Sequence, residues 1–173
     1  MSRKSLCALF AAAVASAAFG EGRVICVDGK AAAGGDGSAE APYQTIAEGV
    51  AAAQDHDIVE LASGSYTVAA KVVIDKPITV RGDHAAVTVV RPAADGILVF
   101  QLNHADAVLE GVTVRDAKVG GSCSAVQVSK GTLQDAIICN NTCTGDRIYT
   151  GAVWVGSASS VVRRCTFTDN VGV

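Results

Sequence analysis

The sequence predicts an all-β chain wound as a right-handed parallel β-helix, a solenoid of stacked coils with a short capping helix at its N-terminal end. Three observations lead there. Nine-residue segments recur in gap-free alignment along the second half of the chain. The apolar period changes from 3.6 to 2 just after residue 54 and does not change back. The composition is half apolar but only 5% aromatic, with 18 glycines and 3 prolines. That mixture suits short strands, tight turns and a narrow core of small and β-branched side chains.

The N-terminus reads as an export signal. Arg3 and Lys4 precede an uncharged run over residues 6–19, which ends in Ala15-Ser16-Ala17-Ala18 and Gly20. A positive start, a short apolar stretch and a small-residue end are the parts of a secretory signal peptide. The run falls short of the ~20 residues that a membrane span requires. Residues 1–20 are therefore expected to be removed after Ala17, Ala18 or Gly20, leaving 21–173 as one domain outside the cytoplasm, whether extracellular, on the cell surface or periplasmic. Cys7 precedes most of the apolar run, which argues against a lipid anchor.

Charge and cysteine usage narrow the partners. With 14 basic and 17 acidic residues the net charge is −3, and loss of Arg3 and Lys4 makes it −5. No basic block survives to suit nucleic acid, and neither a membrane span nor a basic amphipathic helix is expected in the mature chain. Cys26, Cys123, Cys139, Cys143 and Cys165 would remain. Disulfides are permitted in an oxidising compartment, but five is an odd number and the connectivity stays open. Cys139-x-x-x-Cys143 is compatible with metal ligation, yet no histidine lies near and zinc wants four converging ligands. No metal or cofactor is expected.

The elements follow in order. Val24-Ile25-Cys26-Val27 is a first strand. Gly34-Gly35-Asp36-Gly37-Ser38 opens a turn-rich connector, because the strand–loop–helix context of a phosphate cradle is missing. Thr45-Ile46-Ala47-Glu48 is a capping box, and Ile46, Val50 and Ala53 form one apolar stripe on a helix that should end near Gln54-Asp55. Strands are expected at 58–61, 72–74, 78–80 and 87–90, with turns at Ser63-Gly64-Ser65-Tyr66 and Asp75-Lys76-Pro77.

The repeats carry the architecture. Residues 109–117, 133–141 and 162–170 align without gaps, with starts 24 and 29 residues apart. Alternation places Val112 with Val114, Ala136 with Ile138 and Cys165 with Phe167 on one face. Apolar strands at 97–102, 125–128 and 152–155 precede the three segments. One such unit cannot bury its own apolar face, but stacked units can, and the helix would then plug the N-terminal end, covering both the core and the edge strand. Stacking also aligns Asp116, Asn140 and Asp169 as a column at a turn, beside Asn141 and Asn170. A hydrogen-bonded turn ladder is the favoured reading over a calcium site, because calcium wants six or more oxygens.

Two stretches resemble the right-handed parallel β-helix superfamily, often called pectin-lyase-like. One is Asp36-Gly37-Ser38, Pro42-Tyr43-Gln44-Thr45-Ile46, Val50, Ala53, Asp57-Ile58-Val59 and Gly64-Ser65-Tyr66, where Ser65 stands in place of the threonine usual in such openings. The other is Ile78-Thr79-Val80-Arg81-Gly82, Val108 to Val114 and Gly131-Thr132-Leu133 through Asn141-Thr142, which is similar to repeats in large bacterial surface and secreted β-helix proteins. The resemblance implies the architecture for nearly all of the mature chain. The sequence stops directly after a repeat strand, without a polar cap, so further coils are expected downstream.

Function is read at the level of class. The favoured expectation is a secreted or cell-surface module that contacts polysaccharide or another cell-surface glycan without catalysis. The alternative is part of a polysaccharide lyase or glycoside hydrolase. The resemblance implies, for that alternative only, calcium or acid chemistry at Asp116 and Asp169 with Arg115, Arg163 or Arg164 as base; none sits in a matching motif. His56, beside Asp55 and Asp57, reads as a solvated residue past the helix, and His84 and His104 read as turn residues with no triad context. Trp154, flanked by Val153 and Val155, should face outward and is the one residue named as a carbohydrate contact.

Overall fold

A computed structural model of the chain describes residues 22–120, 125–144 and 152–172. The signal-peptide expectation and Cys123 lie outside the described residues. The described chain is a parallel β-solenoid of about four turns with one short helix. Its elements are β1 (Val24–Val27), α1 (Ile46–Ala52), β2 (Ile58–Leu61), β3 (Gly64–Val68), β4 (Val72–Ile74), β5 (Thr79–Gly82), β6 (Thr88–Pro92) and β7 (Phe100–Glu110). There follow β8 (Thr113–Arg115), β9 (Lys118–Gly120), β10 (Val126–Gln134), β11 (Ile137–Cys139), β12 (Thr142–Thr144), β13 (Val153–Val155), β14 (Ser160–Arg163), β15 (Thr166–Thr168) and β16 (Val171–Gly172).

Three parallel sheets wrap the core. The first runs β1-β2-β5-β7-β10-β13, with β4 beside β7 and β14 beside β10. The second runs β15-β11-β8-β6-β3, and the third β16-β12-β9. Strands β7 and β10 each serve as two. The first half of β7 pairs with β4, aligning Val72 with Phe100, and its second half pairs with β5, aligning Val80 with Leu109. Because side chains alternate across a strand, each coil sends one residue per sheet position inward. Tyr66, Val90, Val114, Ile138 and Phe167 form one such column. Val72, Phe100, Val126 and Val153 form another.

Three local expectations are corrected. The expected turn at 63–66 is instead the start of strand β3. The nine-residue repeats are not single strands: each bends at a corner, so Leu109 and Leu133 belong to the first sheet and Val114 and Ile138 to the second. His104 lies inside β7 rather than in a turn.

At the head of the stack the capping box forms as its spacing dictates. The Thr45 hydroxyl accepts from Glu48 N–H at 3.2 Å, and the Glu48 carboxylate accepts from Thr45 N–H at 2.9 Å. Ile46, Val50 and Ala53 are buried. Helix α1 lies so close to the core that a Cβ at Gly49 would come within 2.6 Å of Val27 and 2.9 Å of Val59. Two cations satisfy the carbonyls at its far end. Lys76 Nζ donates to Val50 O (3.1 Å) and Ala53 O (2.6 Å), and the Arg23 guanidinium donates to Ala52 O, a placement the helix dipole favours. The free edge of β1 is covered by the connector and not by the helix: Cys26 N–H donates to Gly37 O, Tyr43 N–H to Cys26 O and Asp28 N–H to Tyr43 O. His56 is exposed, with φ +70°.

Asp57 ties the chain start to this end. Its carboxylate is buried and accepts from Arg23 N–H (3.0 Å), Arg23 Nε (2.8 Å) and Gln54 N–H (2.8 Å). Burial pushes its pKa up, but the Arg23 and Gln54 hydrogen bonds and the Arg23 charge outweigh it and hold the group below its ordinary 3.8. A carboxyl whose folded pKa is depressed contributes stability above its unfolded pKa and loses it as pH falls through the folded value. Asp57→Asn is therefore expected to lower stability by about 2 kcal/mol near pH 7, and the gap in urea midpoint between variant and wild type should narrow steadily below about pH 4. A gap independent of pH would refute this role.

Candidate functional site

Outward positions of the first sheet form columns as regular as the inward ones. Glu60, Arg81, Glu110, Gln134 and Arg163 stand in register on successive strands, at the ~4.8 Å spacing of neighbouring strands. At that spacing planar side chains reach from one coil to the next. Arg81 Nε donates to Glu110 Oε1 at 2.6 Å, Gln134 Nε2 donates to Glu110 Oε2, and Arg163 Nε donates to Gln134 Oε1 at 2.7 Å. One continuous polar ladder results.

The next residue along each strand turns the corner toward the second sheet. Gly82 and Gly111 meet there backbone to backbone: a Cβ on Gly82 would fall 2.2 Å from Gly111 O, and one on Gly111 would fall 2.6 Å from Gly82 O. Gly111 has φ +69°, and its successors Asp135 and Arg164 adopt +51° and +53°, a conformation that costs a side-chain-bearing residue energy and persists only when its surroundings hold it. Here the Arg164 guanidinium grips the Asp135 carboxylate through two hydrogen bonds of 2.6 Å each, and those bonds hold the Asp135 carboxyl below the ordinary carboxylate range. Gly82 and Gly111 line a groove of about 460 Å³. Arg81, Asp83, His84, Glu110, Asp135 and Arg164 also line it. Asp83 accepts from the Ser63 hydroxyl. His84 Nδ1 accepts from Ala86 N–H at 3.1 Å, so the neutral ring offers Nε2–H as a donor.

The residues singled out in the sequence fall elsewhere. Asp116, Asn140 and Asp169 directly follow the paired strands β8, β11 and β15, with φ of +61°, +54° and +53°. Asp116 accepts from Arg115 Nε (2.9 Å) and Asp169 from the Thr168 hydroxyl (2.9 Å). The side-chain bonds that run from coil to coil at this corner come from the following residue. Asn141 Oδ1 accepts from Ala117 N–H (3.0 Å), its Nδ2 donates to Val114 O (3.2 Å), and Asn170 Nδ2 donates to Ile138 O (2.7 Å). Trp154 aligns with Gln127 and Gln101 on the outward side of β13, is 37% exposed, and lies over Gly156.

Of the basic candidates, Arg115 is bonded to a carboxylate within its own turn, while Arg163 and Arg164 belong to the ladder and the corner clamp. Cys26 is disulfide-bonded. Cys139 and Cys165 are thiols whose pKa burial pushes up. Among the described residues no cluster of three or more histidine, cysteine or acidic side chains could hold a metal, and no helix is long and apolar enough to cross a membrane.

The groove was missed by sequence reasoning, although a signal existed. Arg81-Gly82 and Glu110-Gly111 are equivalent pairs, a charge followed by a glycine at one corner position. They lie 29 residues apart and only the second belongs to the nine-residue repeats.

No curated protein and no solved structure matches this chain. A family model does match, over residues 27–173. That span runs from the last residue of β1 through all the later coils, and it contains both the polar ladder and the groove. The chain belongs to the family described as protein of unknown function (DUF1565), and within it forms a β-helix repeat module.

Proposed function

We propose that the protein is an exported β-helix module of the pectin-lyase-like kind that contacts glycans through the outer side of its first sheet, without catalysis in this segment. The observation that carries this reading is the in-register ladder of Arg81, Glu110, Gln134 and Arg163 beside a groove lined by Gly82 and Gly111. Planar side chains fixed by their neighbours lose little entropy on binding, and each keeps spare donors or acceptors for hydroxyl groups. Trp154 supplies an exposed aromatic surface on the same sheet. The basic candidates are each committed to a neighbouring side chain, which suits positioning better than proton transfer.

The test is retention of the full-length exported protein on a panel of immobilised polysaccharides, with depolymerisation followed in parallel with and without calcium. Retention without cleavage is expected, and Trp154→Ala should weaken it by about 2- to 10-fold, the worth of one aromatic stacking contact. Unsaturated ends that disappear on chelation would replace this reading with a lyase. Failure of every glycan to retain the protein would end it.

A further inference from the structure

We propose that the corner groove selects neutral glycans over acidic ones, because each guanidinium lining it is already matched to a carboxylate. The inference rests on the glycan-contact reading and specifies its ligand class. Two arginines line the groove. Arg81 Nε is 2.6 Å from Glu110 Oε1, and Arg164 holds both oxygens of Asp135 at 2.6 Å. A third carboxylate, Asp83, also lines it, so acidic groups outnumber guanidiniums three to two. The ladder alongside is balanced as well: Glu60 and Glu110 offset Arg81 and Arg163.

A uronate entering this groove would meet three carboxylates and no uncommitted guanidinium. It would have to shed its hydration without a compensating charge, or break an existing ion pair to gain one. A neutral sugar meets the opposite situation. Each hydroxyl both donates and accepts. Arg81 has donors left on its two terminal nitrogens, and every carboxylate oxygen that takes one hydrogen bond keeps a further lone pair. Paired Arg–carboxylate units thus present donor and acceptor side by side, which matches a hydroxyl and mismatches an anion.

The experiment is titration calorimetry of the full-length exported protein with a set of neutral hexasaccharides and matching uronate hexasaccharides, at about 50 and 300 mM salt. The best neutral ligand should bind at least ~10-fold tighter than any uronate, a difference of about 1.4 kcal/mol, and its affinity should change less than ~2-fold with salt. Two nearly isosteric variants then invert the charge matching. Glu110→Gln removes the groove carboxylate matched to Arg81, and Asp135→Asn removes the one matched to Arg164 while leaving a residue that tolerates positive φ. Each should raise uronate affinity by ~10-fold and make it fall with salt. Should one variant fail to fold, the other carries the test.

Tighter, salt-sensitive uronate binding by the wild type would overturn the inference and leave the glycan-contact reading standing. Uronate affinity that neither variant raises would also overturn it, by showing that the matched ion pairs of the groove do not set the selection. If no saccharide binds at all, the glycan-contact reading fails, and the inference with it.

Discussion

Asn141→Leu is expected to lower stability by about 2–4 kcal/mol, because it removes a buried amide and strands the buried N–H that it satisfies. Asn141 is 2% exposed, and its side chain bonds to three groups: Ala117 N–H, Val114 O and Asn170 Oδ1. Leucine is nearly the same size, so packing is conserved while the buried Ala117 N–H is left unsatisfied, at roughly 1–3 kcal/mol, and Val114 O and Asn170 Oδ1 each lose a hydrogen bond. The adjacent Asn140→Gly supplies the contrast. Its φ is +54° and among the described residues its side chain bridges no coils, so glycine should be tolerated within about 0.5 kcal/mol. Urea unfolding of both variants at neutral pH checks the pair. Equal losses would mean that the corner is held by backbone conformation and not by the amide.

Phe100→Ala should cost about 3–5 kcal/mol, whereas in a chain ending at Val173 the same truncation at Phe167 should cost about 1 kcal/mol or less. The chemistry deleted is identical, but the stack around it is not. Phe100 is fully buried, with Val72 and Val126 in register on either side. Phe167 continues the inward column above Ile138, yet remains 50% exposed. A ring sandwiched between two coils leaves a cavity when it is removed, and one covered from a single side leaves a dent that water fills. Thermal unfolding of the two variants measures this, and a loss at Phe167 comparable to that at Phe100 would show that its exposed face is covered in solution.

How legible these features were in the sequence follows from how local each one is. The capping box needs only Thr45 and Glu48, three residues apart, and formed as spelled. Inward alternation needs only a strand and its neighbours, and Val112, Val114, Ala136 and Ile138 are all buried as the repeats implied. Corners are harder. Gly111 announces a turn, but Asp135 and Arg164 occupy the same corner with side chains that carry no strong turn signal, because a clamp from the next coil holds them in place. The polar ladder was hidden for the same reason. Arg81, Glu110 and Gln134 become neighbours only once coil lengths of 29 and 24 residues are in register, and a bulge within β10, between Val128 and Thr132, sits inside that register. The coil-bridging role of Asn141 in place of Asn140 is a one-residue difference set by which of the two adopts positive φ.

The way β1 is closed bears on association as well as on stability. A bare edge strand is a template on which an extended segment from another molecule can add, the first step of β-type aggregation. Here the outward-pointing groups of Cys26 and Asp28 are consumed by Gly37 and Tyr43 of the same chain, and α1 seals the core beneath them. A connector that reads in the sequence as little more than turns and small residues therefore acts as a chain terminator for sheet growth. It occupies the Cys26 and Asp28 groups on which a foreign strand would have to bond at the head of the solenoid.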